Sequence, residues 1–137
     1  AEETRLPLVV HERDAASEAV ELLRSEGAGK IRGVLHCFTG DYGAACAYLD
    51  LGFYLSFTGI ITFKNAEPLR DVVRKVPLDN MFVETDSPYL TPVPHRGKRN
   101  EPAYVRFVAE TIAEVKGVEL AEVARVTSAN VKKLFRI

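Results

Sequence analysis

Glu84 and Asp86 stand two residues apart at the end of the apolar run Met81-Phe82-Val83, inside the stretch "MFVETDSPYLTPVPHRGKRNEP". Two more residues with chemistry close short apolar runs of their own: His11 ends "PLVVH" and His36 ends "GVLH". Imidazole nitrogens and carboxylate oxygens on rigid elements are a natural donor set for a divalent metal with positions left open for water.

The elements that must carry these groups alternate in kind. Strands are expected over 7–13, 31–38, 53–59 and 80–85, and helices over 14–27, 41–52 and 65–76. In the first helix Ala15, Ala19, Leu22 and Leu23 recur at helical spacing, with Asp14 as its cap and Gly27 as its stop. Asn65 is expected to cap the third helix, with Pro68 in its first turn. From Glu101 to Phe135 the pattern gives two helices broken near Gly117-Val118, with a further cap or kink at Thr127-Ser128. Strands alternating with helices predict βα units and a parallel sheet, either open and doubly wound or part of a barrel.

In α/β folds ligands gather at the carboxyl ends of the strands. Strand side chains alternate, so Val9, His11 and Arg13 share a face, as do Val34 and His36, and as do Phe82, Glu84 and Asp86. Each residue also has a plainer reading. A histidine at a strand end is commonly a satisfied, partly buried one, Asp86 before Ser87-Pro88 opens a turn, and Glu84 suits a buried acid paired with an arginine. The coincidence of all four at one end of the sheet favours a metal, but spacing alone leaves both readings open.

Four stretches, "LPLVVHERDA", "GVLHCFTG", "GFYLSFTGIITFKNA" and "ETDSPYLTPVPHRGKRNEPAYV", together with the closing "TSANVKKLF", closely resemble the TatD family of metal-dependent hydrolases from Leu6 to Phe135. The resemblance implies a TIM-type (β/α)8 barrel holding a divalent metal (Mg, Mn or Zn) and acting as a deoxyribonuclease, typically from a 3′ end. It implies that His11, His36 and Asp86 are metal ligands. Asp86 would also bind and activate the attacking water, with Glu84 as a second acid pointing into the site. The family's opening His-x-His pair and the glutamate of its fourth strand have no counterpart here. The chain therefore matches the last four βα units, a single C-terminal half-barrel over 1–137 with the N-terminal half absent. A complete barrel is about 250 residues.

The loop after Asp86 reads as a phosphate-facing surface. His95, Arg96, Lys98 and Arg99 form a positive cluster, and arginine forks bind phosphate oxygens without regard to base sequence. The plainer reading is a solvated loop, with Arg96 or Arg99 paired to the acids. Arg13 is suited to phosphate or to Glu84, Phe63 and Tyr89 to base stacking or ordinary packing, Asn100 to capping the helix that starts at Glu101-Pro102, and Cys37 to a buried apolar role.

Composition narrows the rest. The 137 residues are 47% apolar and 27% charged with net charge −1, enough for a core and no bulk sign of nucleic-acid binding. Two cysteines make no disulfide framework, and no signal peptide or apolar run of about 18 residues is seen, so a cytoplasmic location without a membrane span is expected. The opening at Ala1, without methionine, reads as a fragment or a trimmed terminus. Expected partners are DNA, single-stranded or at 3′ ends, and a second copy through open barrel edges. Two other readings remain: an amidohydrolase-like metal enzyme on an ester or amide unrelated to nucleic acid, and an inactive half-barrel that serves assembly.

Overall fold

The computed structural model describes residues 1–27 and 29–137. Four parallel strands, β1 (Leu8–His11), β2 (Gly33–His36), β3 (Tyr54–Phe57) and β4 (Met81–Val83), lie side by side in chain order. Helices α1 (Ala16–Gly27), α2 (Tyr42–Asp50) and α3 (Glu67–Lys75) connect them, and α4 (Val105–Lys116) and α5 (Leu120–Phe135) follow. This is the α/β class with parallel strands and flanking helices expected from the sequence, and it is consistent with part of a TIM barrel. Each strand is shorter than the span expected for it, because residues at the ends of each span turn into loops.

The alternation of side chains splits the sheet into two faces. Leu35, Leu55, Phe57 and Met81 are fully buried against Val73, Val108, Ile112 and Val123 of the helices, the larger core. Burial of each such side chain contributes roughly 1.5–3 kcal/mol. On the other face Val34, Tyr54 and Phe82 meet Leu134 of α5, with the Tyr54 and Phe82 rings 4.9 Å apart. Asn130, also on α5, donates to the carbonyls of Leu78 (3.0 Å) and Met81 (2.9 Å), which ties this helix to the start of β4.

Local details differ from the sequence reading. Asp14 does not cap α1: it sits at φ 57, and Glu12 Oε1 instead accepts from the Ala15 amide at 2.7 Å. Leu22 is exposed and Val20 takes its place beside Ala19 and Leu23 against the core. Ala66 rather than Asn65 is the residue before α3, without a side-chain cap, although Pro68 does sit in the first turn. α5 passes unbroken through Thr127, whose hydroxyl donates to the Val123 carbonyl at 2.9 Å and so finds a partner inside the helix. Gly117 ends α4 in the left-handed conformation (φ 66) as a C-terminal glycine should.

Candidate metal centre

Parallel pairing sets His11 directly opposite His36, so both imidazoles leave the same face of the sheet. Their ring centroids are 5.7 Å apart and inclined by 41°. His11 is exposed and His36 partly buried.

His36 lies between two carboxylates. Its Nδ1 is 2.8 Å from Glu84 Oε1 and its Nε2 is 3.2 Å from Asp86 Oδ1. Glu84 Oε1 also accepts from the Cys37 amide at 2.7 Å, so this oxygen is held from two directions. β4 ends at Val83, and strand alternation no longer governs residues 84 and 86. Glu84 stays beside β3 because its amide donates to the Phe57 carbonyl at 3.0 Å. Asp86 reaches the same imidazole because its backbone turns into the left-handed region (φ 59), where aspartate is tolerated better than most residues. Cys37 does the same after β2 (φ 51), which aims its amide at Glu84.

The charge logic of His36 is specific. A neutral imidazole has one N–H. In the tautomer with that proton on Nδ1, donated to Glu84, Nε2 would turn a lone pair toward Asp86 Oδ1. Two acceptors at 3.2 Å repel each other unless a proton or a cation joins them. Two donors placed at right angles about an ion with bonds of about 2.1 Å stand about 3 Å apart, close to the observed separation. The pair therefore fits neighbouring ligands of one divalent cation. Among the described residues no group of three or more His, Cys, Asp and Glu is arranged to hold a metal ion. His36 and Asp86 are in contact, and His11 lies beside them at ring-to-ring distance.

The loop from Ser87 to Asn100 folds over this rim. Thr91 donates to the Lys98 carbonyl at 2.6 Å, Thr62 Oγ1 accepts from the Val93 amide at 2.9 Å, and Gly59 packs directly against the Leu90 carbonyl. Arg96, Lys98 and Arg99 are exposed and enter no ion pair among the described residues. The pairing of Arg96 or Arg99 with the acids is thus not seen. Arg96 instead lies over the Phe63 ring, its guanidinium carbon 3.8 Å from the centroid.

The family model described as "TatD related DNase" matches residues 1–136. The chain belongs to the TatD family. Among TatD relatives, the uncharacterized metal-dependent hydrolase YcfH of Escherichia coli (strain K12) is 57% identical over 135 residues, covering 98% of this chain and 51% of that protein. The uncharacterized metal-dependent hydrolase YabD of Bacillus subtilis (strain 168) is 50% identical over 137 residues, 100% of this chain and 54% of that protein. The crystal structure of YJJV, a TatD homolog from Escherichia coli K12, superposes with TM-score 0.92 at 27% identity, over 100% of this chain and 52% of that one. The chain spans about half the length of the curated relatives it matches.

Against the TatD expectations, the structure brings His36, Glu84 and Asp86 into contact, with His11 next to them. Arg13 lies exposed past the end of β1, and Glu84 faces His36 and the Cys37 amide rather than this guanidinium. His95, grouped by sequence with the basic loop, stacks on Tyr104 at 4.3 Å and meets the edge of Phe107 at 5.1 Å, so it packs the loop onto α4. Phe63 has one face covered by Arg96, while Tyr89 is exposed. Cys37 is partly buried, its thiol 3.8 Å from the Thr58 hydroxyl, and burial pushes its pKa up. The sequence carried no signal for the left-handed backbone of Cys37 and Asp86. Among the described residues no helix is long and apolar enough to cross a membrane.

Proposed function

We propose that this chain carries part of the catalytic centre of a metal-dependent phosphodiesterase acting on DNA, cleaving single strands or 3′ ends one nucleotide at a time. The observation that supports it is His36 held between Glu84 and Asp86, nitrogen and oxygen donors gathered at one rim with His11 beside them. His36 and Asp86 would hold the ion, with His11 as a further ligand from the neighbouring strand. When bound, a divalent ion (Mg, Mn or Zn) supplies positive charge for a phosphoryl oxygen and makes a water acidic enough to ionise near neutral pH.

The chain's own groups do the rest. Asp86 directs one carboxylate oxygen at His36 Nε2 and keeps the other to orient the attacking water and take its proton. The water oxygen bonds to phosphorus as the ester P–O bond breaks. Glu84 acts through His36: it fixes the ring and its tautomer by accepting from Nδ1, as carboxylates behind metal-binding histidines do. Arg96, Lys98 and Arg99, exposed and without acidic partners among the described residues, suit backbone phosphates, and Arg13 suits a further one.

The basic loop favours a nucleic acid over an uncharged ester or amide. The decisive assay is digestion of 5′-labelled single-stranded DNA by the purified protein, chelated and then resupplied with Mg, Mn or Zn. A ladder shortening from the 3′ end in the presence of metal is expected. Hydrolysis of a neutral ester or amide with DNA untouched would overturn the substrate assignment. Self-association also has support, since Val9 is 61% exposed on the outermost strand β1. Light scattering after size exclusion tests it, and a monomer at micromolar concentration counts against it.

A further inference from the structure

The loop that presents Asp86 is held by one side chain far along the chain. Asn100 is 2% exposed. Its Nδ2 donates to the carbonyls of Thr85, at 2.8 Å, and of Tyr89. Its Oδ1 accepts from the Glu101 amide at 2.9 Å, and its own amide donates to the Pro88 carbonyl at 3.1 Å. The sequence suggests a cap for the helix after it, but neither the 3-10 turn at Pro102–Tyr104 nor α4 receives a side-chain cap.

The four bonds enclose Asp86. Thr85 precedes it, and Pro88 and Tyr89 close the turn it opens, in which the Tyr89 amide donates to the Asp86 carbonyl at 2.9 Å. Asp86 itself stands in the left-handed region (φ 59), which residues with a Cβ seldom adopt. Such a backbone persists only where its surroundings fix it. The carboxylate it carries must sit within a fraction of an ångström of its working place to bind or to take a proton.

We infer that Asn100 is a positioning residue for Asp86: it clamps the carbonyls on both sides and so holds the carboxylate against His36. This rests on the metal-site reading above for its consequences, but the clamp itself is a matter of where Asp86 sits. Asparagine suits the task because one planar amide offers two N–H donors and one acceptor in fixed directions. Aspartate has nearly the same shape and no donor, so it sets a carboxylate oxygen against the Thr85 and Tyr89 carbonyls.

The test uses the protein as its gene encodes it, with Mn²⁺ as the probe ion. In Asn100→Asp the Asp86 carboxylate is expected to move by about 1 Å or more in the crystal structure. Mn²⁺ affinity by electron paramagnetic resonance should weaken at least about tenfold. On DNA, kcat should fall by about tenfold or more with KM nearly unchanged. Thr91→Val is the control, because it removes the Thr91–Lys98 bond in the same loop without touching residues 85 to 89. It should lower Tm and leave Mn²⁺ affinity within about twofold, as for a loop bond remote from the ligands. An Asn100→Asp protein that loses thermal stability while Asp86 stays in place and Mn²⁺ binding is unchanged overturns the inference. Should that variant not fold, Asn100→Ser, smaller and with one donor, is read in the same way. Asp86→Asn separates the two claims. If it leaves Mn²⁺ affinity at the parental value, the metal reading fails, and the position of Asp86 in the Asn100 variant still decides the clamp.

Discussion

Asp86 Oδ1 lies 3.2 Å from His36 Nε2, although the two residues come from strands that are not neighbours in the sheet. β3 stands between them, and the contact spans it above its end, where Phe57 gives way to Thr58 and Gly59. On the proposed reading, Asp86 shares an ion with His36 and acts on a water beside it. Asp86→Asn keeps the size and removes the charge and the basicity. Hydrolysis of DNA should fall by about 10²–10⁴-fold, the range for removing a general base. Circular dichroism and Tm should match the parent, since the side chain is partly exposed at the rim. Parental nuclease activity in the variant would remove Asp86 from the mechanism.

Glu84→Gln asks a different question. Its oxygen receives both the His36 ring and the Cys37 amide. Glutamine keeps an acceptor for one of them but not the charge that favours the Nδ1–H tautomer. Metal affinity should weaken by about 10–100-fold, as for other carboxylates behind a ligating histidine. Titration with Mn²⁺ by calorimetry reads this directly, and an unchanged constant would show that Glu84 does not act through His36.

How much of this is legible in the sequence depends on the kind of contact. The parallel strands and the meeting of His11 and His36 on one face follow from local patterns, because the period of two and the positions of the histidines are written in consecutive residues. The route by which Asp86 arrives is not. Strand alternation alone would carry it there only if β4 ran on to residue 86, whereas β4 stops at Val83 and a left-handed turn completes the path. Asn100 lies 15 residues from Thr85, and a single asparagine among loop residues has no spacing to mark it. His95 and Arg96 look alike as members of a basic run. Their separate fates, stacked on Tyr104 and laid over Phe63, depend on which aromatic ring the folded loop brings near.

Arg96 has a fixed place in the basic loop, because the Phe63 ring orients its guanidinium while leaving it exposed. Arg96→Glu should flatten the dependence of DNA affinity on salt. The slope of log K against log salt should shrink by about 0.7, the value for one fewer phosphate neutralised on a single strand. Fluorescence anisotropy over a salt series measures it. An unchanged slope would take Arg96 off the binding surface.

Gly59 is where the loop meets β3's extension. A Cβ there would collide with the Leu90 carbonyl oxygen and crowd Pro92, and both are backbone that has no side-chain rotamer to yield. Gly59→Ala should cost about 1–3 kcal/mol of stability, the range for forcing extra atoms into a packed site. Urea denaturation with an unchanged m-value would report it. A variant as stable as the parent would show that the loop from Pro88 to Asn100 is free to lift away.

Tyr48 offers the opposite sign of effect. Its ring is wholly buried, edge-on to Phe38 at 6.4 Å, and contributes to the larger core. Its hydroxyl is buried too and finds no hydrogen-bond partner among the described residues. The same burial, with the Glu12 carboxylate adding to it, pushes the phenol pKa up to about 12, so the group is neutral at every pH where the protein is handled. A buried hydroxyl left without a partner costs about 1–3 kcal/mol relative to one in water. Tyr48→Phe deletes that oxygen and keeps the ring. The variant should equal the parent in stability or exceed it by up to about 1 kcal/mol, since the small gap left by the oxygen offsets part of the gain. Thermal denaturation of the two proteins side by side measures the difference. A loss of about 1 kcal/mol or more would mean that the hydroxyl has a partner in solution after all, as removing a hydrogen bond costs about that much.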